Sequence, residues 1–202
     1  MSIVTFILIG VTVLVSWQAF NNRALLERLI LWPPAISRRK QYDRLLTYGL
    51  IHADGTHLLF NMITLYFFGR VVERVMTQAV GPVGYVLFYL SAIVVAILPT
   101  YMQHRHDARY SSLGASGGVS AVLFASIMLD PWMWIMVPLP VPGFLYAIGY
   151  VAFSFWKDRQ GGGNVNHSAH LSGAAYGVMF MLLMEPGVLQ SFLQRLMNPR
   201  FL

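Results

Sequence analysis

Gly114-Ala115-Ser116-Gly117 opens an apolar run that continues without a charge to Leu129. The run is too uniformly hydrophobic for a soluble helix with one wet face. A serine among small residues at its start has two readings. Small residues at Gly114, Gly117, Ala121 and Ala125 let membrane helices approach closely, which makes the stretch a packing face. The other reading makes Ser116 a nucleophile, and the rest of the chain must decide between them. It carries a histidine and an asparagine on one other apolar segment and a second histidine on another. Polar and ionisable groups at membrane depth are costly and are functional candidates by default.

Working outward, the 202 residues are 56% hydrophobic and only 11% charged, with a mean hydropathy of +0.58. Soluble domains carry about 25% charged residues. Six apolar runs fit the length, at about 3–20, 57–77, 83–102, 116–130, 143–156 and 167–185. The expected fold is therefore an all-α polytopic membrane protein with six transmembrane helices in a single domain over 1–202. No Lys or Arg precedes Arg23 and no small-residue cleavage site follows the first run, so that run reads as a retained helix. The net charge of +6 is expected to meet lipid phosphate rather than nucleic acid. The chain has no cysteine, which excludes a thiol nucleophile.

The first loop, 21–56, reads as a folded interfacial element. Residues 24–31 are amphipathic, Trp32-Pro33-Pro34 ends that helix, and Trp32, Tyr42 and Tyr48 are the expected interface anchors. Arg70 and Glu73, three apart, read as a helix end. His104 and His106 fall in a polar stretch that reads as a solvated loop. The proline-rich 130–143 reads as a turn region at the lipid boundary, and Gly161-Gly162-Gly163 as a flexible tip.

The candidate chemistry lies at the starts of the second, fourth and sixth runs. His57 and Asn61 are four apart, hence on one helical face, where two donors converge on one oxygen or bond to a neighbouring helix. Gly173 and Gly177 follow His170 and let the sixth helix press against another small-faced helix. If that helix is the fourth, His170 comes beside Ser116. A neutral imidazole there activates the hydroxyl. The Ser116 N–H at a helix start, with His57 and Asn61, would supply donors to an oxyanion.

At these residues the chain resembles the rhomboid family of intramembrane serine proteases. The matching motifs are His57-Leu58-Leu59-Phe60-Asn61, Gly114-Ala115-Ser116-Gly117 and Asn166-His167-Ser168-Ala169-His170-Leu171-Ser172-Gly173, with Arg44-Leu45-Leu46-Thr47 before His52-Ala53-Asp54. The resemblance covers roughly 42–177. It implies a six-helix rhomboid bundle with a water-filled cavity opening to the membrane surface. It also implies a dyad of Ser116 as nucleophile and His170 as base, with oxyanion stabilisation by His57, Asn61 and the Ser116 N–H. Neither metal nor cofactor is implied. The implied substrates are transmembrane proteins, cut in or near an easily unwound helix. The implied location is a bacterial inner membrane, with the active site opening to the extracytoplasmic side.

Two positions depart from the family pattern. Asp43 precedes Arg44 where tryptophan is frequent. Ser120 stands one turn after Ser116, where some members carry a tyrosine stacked on the base, so packing is expected to hold His170 here. The glycine three residues on favours His170 over His167 as base. The alternative function is a catalytically inactive rhomboid-like scaffold that binds membrane proteins. Metalloprotease and aspartyl-protease readings lack His-Glu-xx-His and paired membrane aspartates. No inverted repeat supports a transporter. Charge counting opposes the implied orientation. Ten Lys and Arg lie on the side of loops 21–56, 103–113 and 157–165, against four on the terminal side. The positive-inside rule places the ten in the cytosol.

Overall fold

The computed structural model describes residues 2–137, 139–161 and 165–199, so Gly162 and Gly163 of the expected tip lie outside the described residues. Helix α1, Ile3–Asn21, buries only Thr5, Thr12, Ser16 and Ala19. Many of its apolar residues, Ile7, Leu14 and Trp17 among them, face outward. Polar inside and apolar outside is the pattern of a helix whose outer solvent is lipid.

The first loop folds as three short helices, α2 (Arg23–Leu29), α3 (Pro33–Arg39) and α4 (Arg44–Thr47), with a 3₁₀ turn at Tyr48–Leu50. Two expectations change here. Pro33 and Pro34 open α3 rather than merely ending α2, because proline is pre-set for the first helical turn. Tyr48 is not an interface anchor. It is buried, and its hydroxyl donates to the Ile93 carbonyl at 2.8 Å. Arg44 holds the loop from within, donating to the Glu27 and Ile30 carbonyls and to Gln41. Asp43 pairs with Arg28 at 2.7 Å.

Asp54 caps α5, Gly55–Thr64, by accepting from the His57 N–H. A π turn at Leu65–Gly69 leads into α6, Arg70–His104. Helix α6 is two helices meeting at Gly81, whose φ of 77° only glycine adopts readily; Pro82 starts the second. The break falls between the second and third expected runs. Among the described residues two helices, Ile3–Asn21 and the broken Gly55–His104, are long and apolar enough to cross a membrane.

The expected helix end at Arg70 and Glu73 is overturned. The helix runs on through both residues, and Glu73 is buried, accepting from the Val4 and Thr5 N–H groups at 2.9 Å each. Its carboxylate thus satisfies two of the unpaired donors at the start of α1 and complements the helix dipole there. Glu73→Gln replaces one acceptor oxygen by a donor facing an N–H. We expect a loss of about 1–3 kcal/mol, read as a lower thermal midpoint in detergent. An unchanged midpoint would mean that the cap contributes nothing.

Helix α7, Ser116–Leu129, is the centre of the bundle: every residue from Gly117 to Met128 is buried. That is why its sequence shows no wet face. After it, a hairpin pairs β1 (Trp134–Val137) with β2 (Leu139–Pro142), an addition to the all-α reading of 130–143. Helix α8, Gly143–Gln160, buries only Gly143 and Ser154. Helix α9, His167–Met184, lies against α7. A Cβ at Gly173 would overlap the Gly117 carbonyl, and one at Gly177 the Ala121 carbonyl. The two small-residue faces therefore meet backbone to backbone. Helix α10, Val188–Met197, turns 110° from α9; Arg195 reaches the Leu129 carbonyl and Trp132 donates to the Arg195 carbonyl.

Candidate active site

The start of α7 is held from three sides. Leu31 and Ser112 exchange backbone hydrogen bonds, joining the first loop to the strand-like approach. The Gly114 N–H donates to the Tyr48 carbonyl at 2.9 Å. The Ala115 N–H donates to His52 Nε2 at 3.3 Å. His52 then carries its proton on Nδ1 and donates to Ser16 Oγ at 2.9 Å, and Ser16 donates to the Leu50 carbonyl. Burial pushes the His52 pKa down to about 3, which keeps the ring neutral as this relay requires. His52 is thus a link between α1 and the residue before Ser116, although its sequence position marked it only as part of a loop motif.

Gly114 has a φ of 117°, and a Cβ there would lie 2.6 Å from Cε1 of His57. Glycine is required by both conformation and space. The His57 ring therefore sits on the backbone two residues before Ser116, with the His52 ring edge-on to it at 4.9 Å. Asn61 is buried one turn further along α5. One of its amide hydrogens goes to the His57 carbonyl at 2.9 Å, and the second has no acceptor among the described residues.

Ser116 is half-buried at the first position of α7, and its N–H has no acceptor among the described residues. Such first-turn donors are unpaired by construction. His170 lies in the first turn of α9, one residue after Ala169, whose carbonyl a Cβ at Gly117 would meet at 3.4 Å. Asn166 fixes that end of α9. Its Oδ1 accepts from the Ala169 N–H and from Thr100, and its Nδ2 donates to Tyr110. No hydrogen bond joins Ser116 to His170 among the described residues, and catalytic bonds commonly tighten only when substrate arrives.

The packing expected to hold His170 takes the form of a specific aromatic contact. Tyr150 of α8 stacks on the imidazole, with centroids 6.1 Å apart and planes at 24°. Its hydroxyl shares a 2.6 Å hydrogen bond with Ser120 Oγ. The polar residue one turn after Ser116 therefore holds an aromatic ring delivered by another helix. The repeat of Tyr146 and Tyr150 on one face of α8 was the available signal. His167 sits edge-on to both Phe153 and His170.

A cavity of about 1120 Å³ takes in His57, Asn61, Ser116, Ser120, Tyr150 and His170, with Asp54, Lys157 and Asp158 also on its wall. Polar lining on this scale suits water inside an apolar bundle.

Residues 39–186 match the family model described as Rhomboid domain. The chain belongs to the rhomboid family. This rhomboid is 30% identical over 176 residues to RHOMBOID-like protein 12, mitochondrial, of Arabidopsis thaliana, covering 81% of the chain and 52% of that protein. It is 31% identical over 123 residues to the putative rhomboid protease YdcA of Bacillus subtilis, covering 58% and 57%. Against the rhomboid protease GlpG of Enterobacter sp. it is 28% identical over 158 residues, covering 73% and 50%. The chain thus spans about half the length of these relatives. With them the all-α membrane bundle is established at the level of the family, and the rhomboid is an integral membrane protein.

Proposed function

We propose that this rhomboid is an intramembrane serine endopeptidase that cleaves transmembrane segments of other proteins with Ser116 and His170. The observation that supports it is one polar cavity shared by Ser116, His170, His57 and Asn61. In this scheme His170 takes the Ser116 hydroxyl proton as Oγ attacks the scissile carbonyl carbon. The oxyanion that forms accepts from the Ser116 N–H, Asn61 and His57. His170 then gives its proton to the leaving amine, and water repeats the sequence on the acyl-enzyme. The test is purified protein in detergent with a transmembrane substrate, beside Ser116→Ala. Cleavage by the wild type alone supports the reading; equal cleavage by both overturns it.

Asn61→Ala and His57→Ala each remove one oxyanion donor in this scheme. Each is expected to lower kcat by about 10- to 1000-fold, with reaction of Ser116 toward a small phosphonate retained. A packing role predicts instead a lower thermal midpoint at unchanged kcat.

The proposal includes six membrane spans in a single domain, a cytosolic N-terminus and a cavity opening on the extracytoplasmic side. Several first-loop cations are already engaged, which weakens the charge count. Arg23 pairs with Glu27, Arg28 with Asp43, Arg39 lies over Trp32 and Arg44 is buried. The chain has no cysteine, so His106→Cys in an exposed loop is a unique label. A membrane-impermeant maleimide is expected to modify it in intact cells. Modification only after lysis would restore the orientation that the charge count favours.

A further inference from the structure

Among the described residues no hydrogen bond fixes the His170 imidazole. Its ring is bounded by ring contacts alone, Tyr150 at a shallow 24° and His167 edge-on at 5.9 Å. Tyr150 is itself held by three neighbours. Its hydroxyl is bonded to Ser120 at 2.6 Å, and Phe124 and Tyr146 lie 5.5 and 5.8 Å from its ring. Ser120 stands on α7 one turn after Ser116, so the path from nucleophile to base closes through the tyrosine: Ser116, Ser120, Tyr150, His170. The bond to Ser120 is also the one side-chain hydrogen bond that α8 makes to another helix among the described residues. A helix with so little buried surface would not otherwise hold an aromatic ring in a fixed place.

We propose that Tyr150 is a positioning residue for His170, oriented in turn by the hydroxyl of Ser120. This rests on the dyad reading above. The ring's face sets the plane of the imidazole, and the hydroxyl pair sets the ring. Small misplacements of a reacting group are costly to rate, which is why a residue that never touches substrate matters here.

Three variants separate the roles. Tyr150→Phe keeps the ring and loses the hydroxyl, Ser120→Ala loses the other half of that bond, and Tyr150→Leu loses the ring. Four quantities are read on each: kcat, KM, the rate of Ser116 modification by a fluorophosphonate, and the thermal midpoint. For Tyr150→Leu, kcat and the modification rate are expected to fall together by about 10- to 100-fold, with KM within about twofold. Tyr150→Phe and Ser120→Ala should lose equal, smaller amounts, about two- to fivefold. A folded Tyr150→Leu with wild-type kcat and modification rate overturns the proposal, as does a loss confined to KM. If Tyr150→Leu does not fold, the other two decide: matched losses support the proposal, and full activity in both overturns it. A wild-type protein that neither cleaves nor reacts would overturn the dyad, and this inference with it. A reactive wild type with a dead Ser116→Ala confines any failure to Tyr150.

Discussion

His170→Ala is expected to reduce cleavage by at least about 10⁴-fold, the scale on which members of a nucleophile–base unit act together. His167→Ala, one turn earlier on the same helix, is expected to keep its rate within roughly fivefold. Both imidazoles line the cavity, so the comparison holds location nearly constant. What differs is the surroundings. His170 stacks against Tyr150 and follows Ala169, which touches the face of α7 beside Ser116. His167 is the first residue of α9, edge-on to Phe153 toward the outer helix α8, and its buried Nδ1 has no partner among the described residues. The reverse pattern of rates would assign the base to His167 and break the argument from the glycine face.

The second large effect is on stability. Gly173→Val would drive a branched side chain into the Gly117 carbonyl, where there is backbone and no flexible atom to move aside. Overpacking of this kind forces helices apart and is expected to cost about 3 kcal/mol or more. The separation falls directly beside Ser116, so activity should vanish with the fold. Gly149→Ala is the matched control: nothing lies within 4 Å of a Cβ there. Its thermal midpoint should stay near that of the wild type. Equal midpoints for Gly173→Val and the wild type would mean that α7 and α9 do not pack as described.

Much of this architecture was legible because it depends on local spacing. The gap between the expected runs 57–77 and 83–102 is where the break at Gly81 falls. Gly173 and Gly177, four apart, announce a close helix contact, and His57 and Asn61 share a face by the same periodicity. What stayed hidden depends on partners far along the chain. Glu73 reads as part of a helix end until the start of α1, 68 residues away, is known to lie against it. Tyr48 has the composition of an interface anchor, yet its hydroxyl finds the Ile93 carbonyl and the ring goes inside. Tyr150 could not be assigned to His170 without knowing that α8 lies against both α7 and α9 at that height. The hairpin at 134–142 escaped because its prolines read as turn residues, although Pro140 and Pro142 stand on an exposed two-stranded ribbon where a missing donor costs little.

Everything proposed for this rhomboid depends on Ser116 acting as an activated nucleophile in a cavity within the bundle. The most direct test is mass mapping of the purified protein after reaction with a fluorophosphonate. One adduct is expected, on Ser116, absent in Ser116→Ala and strongly slowed in His170→Ala. An adduct on another serine, or modification of Ser116 at the same rate without His170, would contradict it.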